Sequence, residues 1–101
     1  MTKKITKNEF NEIISNENIT LIDFYADWCG PCKALSPIID EVALEAQDVT
    51  VGKVNVDTER DLALEYKVRS IPTLVIFKGG KEIERMVGLL PKEEILSKIK
   101  G

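Results

Sequence analysis

The chain has 101 residues, enough for one domain with a real core and near the small end of domain sizes. Apolar residues make up 44% and charged residues 31%, the balance of an ordinary soluble globule rather than a disordered or membrane-embedded chain. A net charge of −3, with lysines and arginines scattered instead of massed, disfavours a nucleic-acid surface, a basic arm or a membrane-binding patch.

Met1-Thr2-Lys3-Lys4 is not followed by an apolar run long enough for a secretory signal, and no stretch approaches a transmembrane span. A cytosolic location is the expectation. Lys3 to Thr6 has room only for a short edge strand. Thr6-Lys7-Asn8-Glu9 then has the spacing of a capping box, and Phe10, Ile13 and Ile14 give the helix that follows one apolar face before Asn16 to Asn18 ends it. Ile19 to Ala26 is almost continuously apolar and rich in β-formers, as a strand covered on both faces at the centre of a sheet would be.

Asp23 interrupts that strand. By alternation it shares a face with Leu21 and Tyr25, where a carboxylate is costly unless it is paired or protonated. One reading is an aspartate satisfied by hydrogen bonds or by water. The favoured one is a proton acceptor beneath the helix that follows, since a thiol attacking in a sheltered place must first lose its proton.

Asp27-Trp28-Cys29-Gly30-Pro31-Cys32-Lys33 holds both cysteines of the chain. Two thiols separated by two residues can close and reopen a small disulfide with little backbone movement, and a bridge closing so short a loop suits a switch better than a staple. Zinc would want four nitrogen or sulfur ligands; with no histidine and no second cysteine pair, only a site shared between two chains would satisfy it. A helix starting at about Cys29 to Cys32 puts the first thiol beside unpaired N–H groups and the positive end of the helix dipole, which favour thiolate. Cys29 is therefore read as the reachable, attacking sulfur and Cys32, one turn inside, as the shielded one that acts second. Pro31 fits the first turn of a helix, and Gly30 lets backbone and substrate approach closely.

That helix runs to about Ala46 with Leu35, Ile38, Ile39, Val42 and Ala46 as its apolar stripe, and Pro37 should kink it. Thr50 to Val56 reads as a strand with Lys53 and Asn55 on one face; Gly52 within it has no explanation from sequence. Lys53 is either a solvated strand-end lysine or a charge partner for Asp23. Thr58 is the expected cap of a short helix from Glu59 to Tyr66, facing inward through Leu62 and Tyr66. Arg69-Ser70-Ile71-Pro72-Thr73 precedes the apolar strand Leu74 to Phe77; proline is permitted there, and a trans peptide is the default. Gly79-Gly80 has hairpin-turn chemistry and leads to a charged edge strand, Lys81 to Val87. Gly88 breaks the pattern, and Pro91 opens a last helix containing Ile95, Leu96 and Ile99. The order β-α-β-α-β-α-β-β-α is that of a single layered α/β domain, with parallel strands joined by helices and one antiparallel hairpin, and the cysteine loop follows the carboxyl end of a central strand.

Trp28-Cys29-Gly30-Pro31-Cys32-Lys33, with Asp23-Phe24-Tyr25-Ala26 before it and Ile71-Pro72-Thr73 and Gly88 after it, resembles the thioredoxin family over essentially the whole chain. The resemblance implies the thioredoxin fold, a central mixed sheet of about five strands flanked by four helices. It implies a cis Pro72 beside the cysteines, an Ile71 backbone offered to an extended substrate, and a flat apolar docking surface of Trp28, Gly30, Pro31, Ile71, Pro72 and Gly88. Asp23 and Lys53 match the family's buried aspartate and its nearby lysine, and Trp28 is implied to hydrogen-bond Asp57. Tyr25 stands where many members carry a second tryptophan, and Ser70 where many have glycine. The implied activity is protein-disulfide reduction through a reversible Cys29–Cys32 disulfide, with no bound cofactor or metal. The implied partners are disulfide-containing target proteins and an NADPH-linked thioredoxin reductase, some lineages using ferredoxin-linked donors; a monomer is expected. An oxidant or isomerase is the rival within redox chemistry, though such relatives commonly place histidine between the cysteines. A docking module without electron transfer is the rival outside it.

Overall fold

The computed structural model of the chain describes residues 2–100. Its elements are β1 (Thr2–Lys4), α1 (Lys7–Ile14), β2 (Thr20–Tyr25), α2 (Gly30–Glu45), β3 (Thr50–Asn55), α3 (Arg60–Glu65), β4 (Thr73–Lys78), β5 (Lys81–Val87) and α4 (Lys92–Lys100). They build one five-stranded mixed sheet in the order β1-β3-β2-β4-β5, so the apolar strand carrying Asp23 is indeed central.

Strand alternation divides the core into two layers. Leu21 of β2, Val51 of β3 and Leu74 and Ile76 of β4 pack under α2 and α4, meeting Leu35, Ile39, Val42 and Ile95. On the other face Ile22, Phe24, Val54, Val75 and Phe77 meet Phe10 and Ile14 of α1 and Leu62 of α3. The rings of Phe10 and Tyr66 stand 5.2 Å apart, and Phe10 meets Phe77 edge-on at 5.8 Å. Asp23 shares the face of Leu21, and so lies under α2.

Two sequence expectations change. Helices were expected to join parallel strands, and β3 does run parallel to both β1 and β2. β4, however, runs antiparallel to β2, with Thr73 opposite Phe24 and Phe77 opposite Thr20. With β3 parallel and β4 antiparallel to β2, the chain re-enters the sheet at the end where it left it, which brings Ile71-Pro72 to the cysteine loop. The second change is at α3, whose cap is Glu59 rather than Thr58. The Asn55 side chain accepts the N–H groups of Asp57 and Thr58, at 2.8 and 3.4 Å, and this turn delays the helix to Arg60. The Ile71–Pro72 peptide is cis, as the family resemblance implies and unlike the default for an isolated X-Pro bond.

Gly52, unexplained by pattern, is explained by packing. A Cβ there would fall on Ile5 Cδ1 and lie 2.9 Å from Ile5 Cγ1, and Ile5 is itself buried between the sheet and α1. Gly52→Ala is expected to cost about 1–3 kcal/mol through overpacking, read as a lower urea midpoint with an unchanged denaturant slope.

Candidate active site

The site forms where β2, β3 and β4 meet the first turn of α2. Cys29 is the N-cap of that helix, with extended backbone at φ −88° and ψ 115°. Its Sγ accepts the Cys32 N–H at 3.2 Å, the place a serine or aspartate oxygen commonly takes at a helix start. Pro31 lies in the first turn, where no intrahelical N–H bond is lost. Cys29 and Cys32 form a disulfide with Cα atoms 5.2 Å apart. A Cβ on Gly30 would meet nothing within 4 Å, so that side of the turn is open.

The expected difference in exposure between the sulfurs is absent: Cys29 and Cys32 are each 4% exposed. Tyr25, Val56 and Ile71 close around the pair together with Ala26. The two cysteines differ instead in what surrounds them. Cys29 sits at the dipole end of α2, its Sγ 3.9 Å from the Ile71 carbonyl oxygen. Cys32 faces inward, onto a cavity of about 220 Å³ that also takes in Asp23, Ser36 and Lys53.

Asp23 is 1% exposed, and among the described residues its Oδ1 has no hydrogen-bond partner. Burial pushes its carboxyl from 3.8 up to about 7, and the nearby Lys53 ammonium pulls part of that rise back. Lys53 sits beside it in register on β3. Its Nζ does not close on the carboxylate: it donates to Ser36 Oγ and stands 5.9 Å from the Tyr25 ring centroid.

On the outer side, Trp28 is 70% exposed and its Nε1 donates to Asp57 Oδ2 at 2.8 Å. The Gly88 N–H donates to the Pro72 carbonyl at 2.8 Å, at a φ of +98° that favours glycine. Ile71 is half-buried, but Pro72 is buried and so underlies the apolar surface rather than lining it. Two residues the sequence reading missed stand there instead: Val87 and Leu89, 56% and 51% exposed, flank Gly88. Their signal was weak, because Val87 alternates as an ordinary edge-strand residue and Leu89 lies past the pattern break.

Other regions offer less chemistry. A larger hollow of about 460 Å³ at the opposite pole, between Ile19, Val49, Leu96 and Ile99, carries no thiol. Among the described residues no group of three or more His, Cys, Asp or Glu side chains could hold a metal ion. No helix among them is long and apolar enough to cross a membrane.

Comparison with known proteins agrees with this geometry. The thioredoxin family profile matches residues 1–101. The chain is 45% identical over 96 residues to a thioredoxin of Chlamydia caviae, covering 95% of this chain and 93% of that one. It is 43% identical over 99 residues to a thioredoxin of Mycoplasmoides gallisepticum, covering 97% and 99%. Among solved structures, the thioredoxin of Malassezia sympodialis superposes with a TM-score of 0.91 at 31% identity, covering 99% of this chain and 89% of that one. A mutant thioredoxin from Halobacterium salinarum gives 0.91 at 38%, covering 98% and 88%. With a family profile along its whole length, close relatives of equal size and a disulfide at the start of α2, the chain belongs to the thioredoxin family, thiol–disulfide oxidoreductases that work through a redox-active cysteine pair.

Proposed function

We propose that the chain is a general protein-disulfide reductase in which Cys29 is the nucleophile, Cys32 the resolving thiol and Asp23 the acceptor of the Cys32 proton. The Cys29 thiolate attacks one sulfur of a target disulfide; a Cys29–target mixed disulfide forms and the other target sulfur leaves as thiolate. Cys32 gives its proton to Asp23 and attacks Cys29 Sγ. The second target sulfur leaves, and the Cys29–Cys32 disulfide holds the two electron equivalents' worth of oxidation. The observation that carries this assignment is the different setting of the two sulfurs, Cys29 capping α2 and Cys32 opening onto the cavity of Asp23.

The remaining assignments follow from position. Gly30 and Pro31 tune the couple by shaping the first turn of α2. Trp28, Ile71 and Gly88, underlain by Pro72, seat the target. Lys53 supplies positive charge next to Asp23. The two sulfurs take up and release both electrons, so the mechanism calls for no bound cofactor. An NADPH-linked thioredoxin reductase is the donor that membership of the family supports, and a reducing cytoplasm is the compartment in which the pair would persist as dithiol. A monomer fits the sheet edges, since β1 has only three residues and β5 carries Lys81, Glu82, Glu84 and Arg85.

Coupled turnover tests the reading. With insulin as target and an NADPH-linked thioredoxin reductase as donor, NADPH consumption should rise in proportion to added chain. A reduced chain that leaves insulin disulfides intact would sink it. In the reduced chain iodoacetamide should alkylate Cys29 before Cys32, because thiolate character and not exposure separates them; faster labelling of Cys32 would reverse their roles.

A further inference from the structure

Ser36 lies four residues beyond Cys32 on α2, so both side chains fall on the same helical face. That face covers the cavity above β2 and β3, which Ser36, Cys32, Asp23 and Lys53 line together. Lys53 and Asp23 are register neighbours on parallel strands and point into this same space. Such a pair would ordinarily close on itself. Here the ammonium goes to the Ser36 hydroxyl, while Asp23 Oδ1 is buried with no partner among the described residues. The ion pairs formed among those residues involve Lys3, Lys7, Arg85 and Lys92, and none takes Lys53.

We propose that Ser36 is a positioning residue whose hydroxyl holds the Lys53 ammonium on the α2 side of the cavity and so prevents a direct ion pair with Asp23. The consequence is a carboxyl group that feels a positive charge nearby yet keeps an oxygen free. Such a group can both take the Cys32 proton and hold it near neutral pH, which a tightly paired carboxylate could not do. The inference rests on the proposed role of Asp23, and the tether itself can be tested without that role.

The other ionisable groups facing the cavity set the direction of the effect. Lys4 looks in from β1, Tyr25 and Asp27 from β2 and the turn after it, and Lys33 from α2. Without the hydroxyl, the ammonium's remaining anionic partners are Asp23, the exposed Asp27 and, in the adjoining hollow, the half-exposed Glu59, whose carboxylate already accepts the Lys7 N–H. Asp23 is the strongest attractor, because burial leaves its charge less screened by water. The Lys53 ammonium should then close on Asp23 and favour its ionised form.

The test is the titration of the Asp23 carboxyl carbon resonance in the oxidised full-length chain. In Ser36→Ala the midpoint should fall from about 7 by about one pH unit or more, the usual effect of a close opposite charge. Ser36→Thr keeps the hydroxyl and should titrate as the parent does. In a Lys53→Met background, Ser36→Ala should leave the midpoint where Lys53→Met alone puts it. A Ser36→Ala midpoint equal to the parent's, or higher, overturns the proposal, as does a downward shift that persists without Lys53. No proton leaves Cys32 in the oxidised chain, so this titration is independent of the catalytic role of Asp23. That role fails separately, if Asp23→Asn reduces insulin as fast as the parent.

Discussion

Asp23→Asn is expected to make the oxidised protein more stable than its parent by about 4 kcal/mol at pH 8.5, and by little at or below pH 4. The reason is linkage. The Asp23 carboxyl is raised from 3.8 to about 7 by burial. Between those values the folded chain keeps a proton that the unfolded chain has released, so stability falls as pH rises. The contribution of the neutral acid is complete below about pH 3.8 and lost once pH passes about 7. At about 1.4 kcal/mol per pH unit the interval amounts to about 4 kcal/mol. Asparagine is close in shape and carries no charge to bury, so it escapes the penalty. Urea unfolding at a series of pH values measures the gap. A difference between variant and parent that stays constant from pH 4 to pH 8.5 would show that Asp23 titrates like an exposed aspartate. The same substitution should slow disulfide reduction, a trade of activity for stability that is common where a site holds a group in an unfavourable state.

Cys29→Ser should bring disulfide reduction down to background, a loss of roughly a thousandfold or more, because a hydroxyl neither ionises near neutral pH nor forms a mixed disulfide. Cys32→Ser should fail differently. Attack by Cys29 remains possible, but the second displacement does not, so one equivalent of target becomes covalently attached through Cys29. Mass spectrometry of the chain after exposure to a disulfide-containing target separates the two cases. An adduct on Cys29→Ser, or none on Cys32→Ser, would contradict the assigned order of attack. Change of both cysteines to serine addresses the docking-module alternative, since a pure binding module would keep its cellular role without either sulfur.

Much of this site could be read along the chain because its key residues violate or punctuate a local pattern. Asp23 stood out as a charge in an apolar strand, and the structure buries it on the face that strand alternation gave. The position of Cys29 at a helix start followed from Pro31 and from the change of periodicity after Ala26. What escaped were features made by pairs of distant segments. Gly52 is small because Ile5 lies across it. The direction of β4 shows only in its pairing with β2, a segment about fifty residues earlier in the chain. Ser36 carries no signal in the sequence, and acquires one only where β3 places Lys53 beside it. The equal burial of the two cysteines is of the same kind, since Tyr25, Val56 and Ile71 close on them from separate segments. Val87 and Leu89 gave no warning because an exposed apolar residue acquires meaning only from its neighbours in space.

β4 is hydrogen-bonded along both of its sides, to β2 and to β5, from its first residue onward. The peptide at Ile71 is thus the leading end of an inner rib of the molecule rather than the tip of a pliant arm. If Ile71 seats the target as proposed, a cystine approaching Cys29 would meet a strand end tied on both sides, and more of the accommodation would fall to the visitor. Bridges in segments that can straighten and lie flat would be cut, and those locked inside rigid cores would be spared, which makes the mobility of the guest chain a criterion of selection alongside its chemistry.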